Sequence, residues 1–187
     1  MTARVARHEG TKARGHKGLS RRRARILAVQ VLTQLDVQGD AFLKELDAFL
    51  THSDLEPDEA TRLRAGELAR RCWTDRAAVD AGILAVTEHW SLERMSPVDR
   101  NVIRVAMVEI ADGLPAKVAM NEAIEIAREY GSAESSRFVN GVLDAIHGGE
   151  TQKRRNAETQ KTNDEGSMDA SVLRPQESAP GSEKGPS

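Results

Sequence analysis

Between residues 20 and 147 the apolar positions recur with a helical period, and no stretch alternates in the way a half-buried strand does. Leu27, Val31 and Leu35 repeat every four residues, with Ala24, Ala28 and Leu32 one position along. This stripe predicts a first helix from near Ser20 that Gly39 stops. Asp40 is placed to cap a second helix carrying Phe42, Leu43, Leu46, Phe49 and Leu50 on one face. Pro57 suits the first turn of a third, which runs through Leu63 and Leu68 towards Trp73. A fourth follows a boundary near Thr74 and Asp75, with Val79, Ile83, Val86 and Trp90 as its buried side.

Ser96, Pro97 and Asp99 form a compact start signal: a capping hydroxyl, a proline at the first helical position and an early carboxylate. They open a fifth helix with Val98, Val102, Ile103, Ala106 and Ile110, ending at Asp112 and Gly113. A sixth starts at Pro115 and shows Ala119, Ala123, Ile126, Ala127 and Tyr130, with Gly131 placed for a left-handed cap. The seventh, from about Glu134, repeats Phe138, Val139, Val142, Leu143 and Ile146 before Gly148 and Gly149 break it. The expected fold class is all-α, with seven helices over residues 20–147. A basic arm over 1–19 and a polar tail over 148–187 have too little to bury and are expected to be disordered.

The net charge of −2 conceals an asymmetry. Residues 1–25 hold nine basic side chains and one acidic, whereas 26–147 hold 12 and 21. All six aromatic residues fall in the middle segment, so the core belongs there. A single cysteine, Cys72, rules out an intrachain disulfide framework, and the absence of a long uncharged run argues against a membrane span. These features point to a cytoplasmic protein with no membrane association.

Catalytic chemistry needs convergent groups, and few are offered. His8, His16, His52, His89 and His147 are scattered without metal-ligand spacing, so no metal is expected. The stretch Gly10 to Lys17 places His16 where a phosphate-binding loop needs lysine and has no hydroxyl after Lys17. Cys72 reads as a small core residue. The expectation is a protein that is not an enzyme and holds no cofactor.

Arg21, Arg22, Arg23 and Arg25 stand out, because positive charge in the first turn of a helix opposes the macrodipole. A polyanion would reverse that, meeting guanidinium forks and free amides together, which suits nucleic acid. A basic tail without a partner, or a localisation signal, would carry the same charge.

The run RRRAR at 21–25 followed by AVQVL at 28–32 resembles the first helix of the transcription antitermination factor NusB. WSLERMSPVDRNVIRVAMVEI at 90–110, VAMNEAIEIAREYG at 118–131 and SRFVNGVLDAI at 136–146 resemble the same family in the same order. The resemblance implies two small helical bundles, helices one to three and four to seven. It also implies binding of boxA-type single-stranded RNA of ribosomal operons together with NusE, a small-subunit ribosomal protein, in an antitermination complex on RNA polymerase. Carried over to these positions, Arg21, Arg22, Arg23 and Arg25 would be the main RNA contact, with Arg137 and Phe138 near the same surface. Asp99 would belong to the face that meets NusE. Phe138 also fits the apolar stripe of its helix, and Asp99 also serves as a helix-start carboxylate. Thr33 and Val108 stand where relatives often have tyrosine.

Two other classes stay open at this point. NusB-like domains occur fused to ribosomal RNA cytosine methyltransferases, although the 40 residues after His147 cannot hold a catalytic domain. A protein-interaction module whose basic arm neutralises an acidic neighbour is the other.

Overall fold

The computed structural model describes residues 6–87 and 90–149, with side chains from Leu19 onward. Most of the expected arm and tail, and His89, therefore lie outside the described side chains. Among the described residues there are seven α-helices and no strand: α1 Ala6–Gln38, α2 Leu46–Thr51, α3 Glu59–Thr74, α4 Arg76–Leu84, α5 Pro97–Ala111, α6 Ala116–Tyr130 and α7 over 135–149. They form two small bundles, α1–α3 and α4–α7, and α1 packs along α3 while also reaching α5. Leu27, Leu32 and Leu35 of α1 are fully buried where these helices meet. Truncating any one to alanine is expected to cost about 2–5 kcal/mol.

Several boundaries depart from the sequence expectation for identifiable reasons. α1 starts at Ala6 rather than near Ser20. Lys12, Ala13, Arg14 and Lys17 are good helix formers, and a nucleated helix propagates without needing anything to bury. The single helix expected from Asp40 is two pieces, a 3₁₀ segment Gly39–Lys44 and then α2. Gly39, at φ +64°, turns the chain there. Asp40 does not cap, because its carboxylate accepts from the Trp73 indole Nε1 at 2.7 Å.

α3 is capped by Asp58, whose side chain accepts from the Thr61 amide at 2.7 Å, leaving Pro57 just outside. Leu63, expected on its apolar face, is exposed. α4 ends at Leu84, so Trp90 lies beyond it and is 51% exposed rather than on a buried helical side. α5 begins as expected, with Ser96 Oγ accepting from the Asp99 amide at 3.1 Å and Pro97 in the first turn.

Gly131 is extended (φ −97°, ψ −164°), not left-handed. Close approach is what requires glycine: a Cβ there would overlap the Ser135 side chain and sit 2.6 Å from the Ala127 carbonyl oxygen. α7 continues through Gly148 and Gly149, which were expected to break it.

Candidate nucleic-acid interface

Because α1 starts at Ala6, Arg21 to Arg25 lie in its interior, where backbone amides are already bonded to carbonyls one turn back. The free amides and adverse dipole expected at a helix start do not apply. The helical period instead divides the cluster. Arg25 points inward at 5% exposure, its Nε donating to Glu109 at 2.6 Å. Its Nη1 lies 3.3 Å from Glu122, an ionic contact without hydrogen-bond alignment. Arg22 is half-buried beside α6, 3.6 Å from Glu129 and 3.9 Å from Glu125. Arg21 and Arg23 are exposed and have no ion pair among the described residues.

A groove of about 600 Å³ opens beside α1, lined by Ile26, Thr33, Phe49, Val98 and Tyr130 among others. Tyr130 stands next to Arg22. Partial burial and the neighbouring Glu129 raise its phenol pKa, and the Arg22 charge opposes them. Thr33 turns its hydroxyl back onto the Val29 carbonyl at 2.8 Å, and Val108 is buried.

A second groove, about 870 Å³, lies between the loop before α5 and the start of α7. Trp90, Phe138, Arg94, Arg137 and Asp99 all line it. Its α7 wall is held by Ser135, whose Oγ accepts from the Ser132 amide at 2.8 Å. Phe138 is half-buried: it packs against the core, and its ring lies 5.6 Å from that of Trp90 at 38°. Both roles considered for it are therefore compatible with its position. Arg137 is exposed on the rim.

The structure thus brings Asp99, expected on a separate partner face, into the same groove as Arg137 and Phe138. Val98 and Asp99, adjacent in sequence, line different grooves, as do Tyr130 and Ser132 on either side of Gly131. The two grooves share no lining residue. Arg22 stands beside Tyr130 of the first groove, and the Trp90–Phe138 pair belongs to the second. Trp90 was missed as a site residue because its spacing matched the stripe of α4.

A sequence model of the NusB family matches residues 22–148. The transcription antitermination protein NusB of Anaeromyxobacter dehalogenans is 43% identical over 136 residues, covering 72% of this chain and 95% of its own. That of Desulfitobacterium hafniense is 40% identical over 130 residues, covering 68% and 88%. The chain belongs to the NusB family. Its fold is also that of solved NusB structures. T. maritima NusB superposes with a TM-score of 0.58 at 36% identity, covering 67% of this chain and 89% of that one. A crystal structure of antitermination factors NusB and NusE in complex with dsRNA gives 0.58 at 23% identity, covering 70% and 97%.

This NusB-family domain also contains a buried polar network that the apolar pattern did not reveal. Arg104, 4% exposed, grips both Asp80 oxygens at 2.7 Å and donates to Asp36 at 2.8 Å and Asn101 at 2.9 Å. Arg100 donates to the other Asp36 oxygen at 2.7 Å and to the Leu92 carbonyl at 2.6 Å, tying down the loop that carries Arg94. Burial alone would push the Asp36 carboxyl up, but its bonds from Arg100, Arg104 and Asn101 prevail and hold it below 3.8. Polar residues at 100, 101 and 104, on one face of α5, were the available signal.

Among the described residues no three His, Cys, Asp or Glu side chains are grouped to hold a metal ion, and no helix is long and apolar enough to cross a membrane.

Proposed function

We propose that this chain acts as a transcription antitermination factor, binding boxA-type single-stranded RNA together with NusE within an RNA polymerase antitermination complex. Family membership supports the activity. The observation that carries the site is the Trp90–Phe138 groove, with the exposed cations Arg94 and Arg137 lining it. Arg21, Arg22 and Arg23 contact phosphates, and Arg137 and Phe138 engage the strand further along. Arg25, held by Glu109 and Glu122, positions this turn of α1 against α5 and α6 rather than touching RNA.

NusE meets the face around Thr33 and Val98, whose apolar groove suits a protein better than a polyanion. The work is binding rather than catalysis, in the cytoplasm, by the folded unit 20–147, with residues 1–19 and 148–187 as appendages. A gel-shift titration of boxA-like RNA, with and without NusE, tests the reading. NusE is expected to tighten binding to boxA-like RNA over a scrambled strand. Equal affinity for both strands, unaffected by NusE, would overturn it.

A further inference from the structure

A further groove, of about 470 Å³, opens between α1, α3 and the turn that joins α5 to α6. Four arginines and three carboxylates line it, and most of that charge is matched internally. Arg25 is taken by Glu109 at 2.6 Å, and Arg71 lies 2.9 Å from Asp75 and 3.7 Å from Asp112. Arg21 on α1 and Arg64 on α3 are left, both exposed and without an ion pair among the described residues. Glu67 is the one lining carboxylate in the same state. Four positive charges against three negative leave the groove with a net charge of one.

The two free guanidinium groups come from helices held in register. Ser20 Oγ and Thr61 Oγ1 share a hydrogen bond at 2.7 Å between α1 and α3, and Thr61 is 2% exposed. Arg21 follows Ser20 directly, and Arg64 comes about one turn after Thr61.

Resting on the RNA-binding reading above, we infer that Arg21 and Arg64 clamp one backbone phosphate of the bound strand between α1 and α3. Arg64 has no part in that reading and lies outside the arginine run of α1. A phosphodiester carries one negative charge and two unesterified oxygens, which match the net charge of the groove and its two guanidinium forks. Glu67 sets the limit of the site, because loss of either arginine leaves the groove neutral and releases the phosphate. A carboxylate from a protein would carry the same charge. The strand is favoured because Arg21 belongs to the exposed cations of α1 that it already meets, so a phosphate stands at the mouth of this groove.

The test uses the full chain and a fluorescently labelled boxA-like single strand, titrated across a salt series. Arg64→Gln is expected to weaken binding about two- to tenfold and to flatten the slope of log K against log salt by about 0.7, one phosphate on a single strand. The double variant Arg21→Gln with Arg64→Gln should also flatten it by about 0.7, because both side chains serve the same phosphate. Unchanged urea midpoints would show that neither substitution acts through the fold. Inorganic phosphate added without RNA is expected to show no saturable binding in calorimetry, since a dianion exceeds the single net charge.

An Arg64→Gln protein with the unmodified salt slope overturns the inference and leaves RNA binding by α1 standing. A double variant that flattens the slope by about 1.4 assigns the two arginines to separate phosphates and overturns the clamp. Saturable inorganic phosphate binding that Arg64→Gln abolishes, with the RNA slope unchanged, makes this a free-phosphate site and overturns the strand assignment. Weakened NusE binding in Arg64→Gln, again with the RNA slope unchanged, gives the groove to a protein and does the same. Failure of the unmodified protein to bind any strand defeats the RNA reading itself.

Discussion

Arg25 and its neighbours carry the same charge on consecutive turns, yet they should respond oppositely to the same substitution. Arg25→Gln removes the guanidinium from between Glu109 and Glu122, whose side chains are 14% and 31% exposed. Glutamine is too short to replace both contacts, so Glu109 keeps its charge in a nearly buried place. Breaking such a pair from one side costs about 3–5 kcal/mol, a large part of the 5–15 kcal/mol typical of a domain.

Arg21→Gln and Arg23→Gln disturb nothing buried, and glutamine has similar helix propensity, so each should stay within about 0.5 kcal/mol of the unmodified chain. Their effect belongs to RNA. Each phosphate contact on a single strand contributes about −0.7 to the slope of log K against log salt, so the double variant should flatten that slope by about 1.4. Urea denaturation reads the first quantity and RNA titrations across a salt series the second, with Arg25→Gln assayed well below its unfolding midpoint. An Arg25→Gln protein as stable as the unmodified chain, with a salt slope flattened like that of Arg21→Gln, would refute the division.

Three further outcomes follow from the same geometry. Asp36 has a depressed folded pKa, so its stabilisation is complete above the unfolded value and is lost as pH falls through the folded one; Asp36→Asn should be less stable at neutral pH, with urea midpoints converging below pH 3.8. A gap of constant size across that range would contradict the network. Phe138→Ala should cost about 2 kcal/mol in urea, half of what a fully buried phenylalanine costs, and also weaken RNA binding by about 1–3 kcal/mol, whereas loss of only one property would return Phe138 to a single role. Burial, followed by the charge of Glu109, pushes the Cys72 thiol up to about 12, so it should resist a disulfide reagent at pH 8 until urea unfolds the domain; prompt reaction in the native state would show that its enclosure is misjudged.

How far such features can be read from sequence depends on where their causes lie. The start of α5 was legible because Ser96, Pro97 and Asp99 are neighbours and the capping bond spans three residues. The inward turn of Arg25 was not, since its reason, Glu109, is 84 residues away. Arg25 sits beside Ala24 in the apolar stripe, but periodicity alone cannot distinguish a charged residue at a stripe's edge from one that has found a buried partner. Trp90 failed differently. It falls four residues after Val86, as a helical residue would, and the break that releases it into the groove comes after Leu84 without a glycine or proline to announce it.

The buried network gives the surface its geometry. Asp36 lies near the end of α1, Asp80 on α4, and Arg100, Asn101 and Arg104 on consecutive turns of α5, so five side chains lock three helices. Asp99 precedes Arg100 and lines the aromatic groove, while the Arg100 bond to the Leu92 carbonyl holds the loop that bears Arg94. A binding surface for an extended strand needs its phosphate contacts and its base pocket at a fixed separation. An apolar interface here could bury as much area yet allow the helices to slide, because dispersion contacts have no direction. Bidentate guanidinium–carboxylate bonds do have direction, so the network sets the register between the α1 arginines and the Trp90–Phe138 groove.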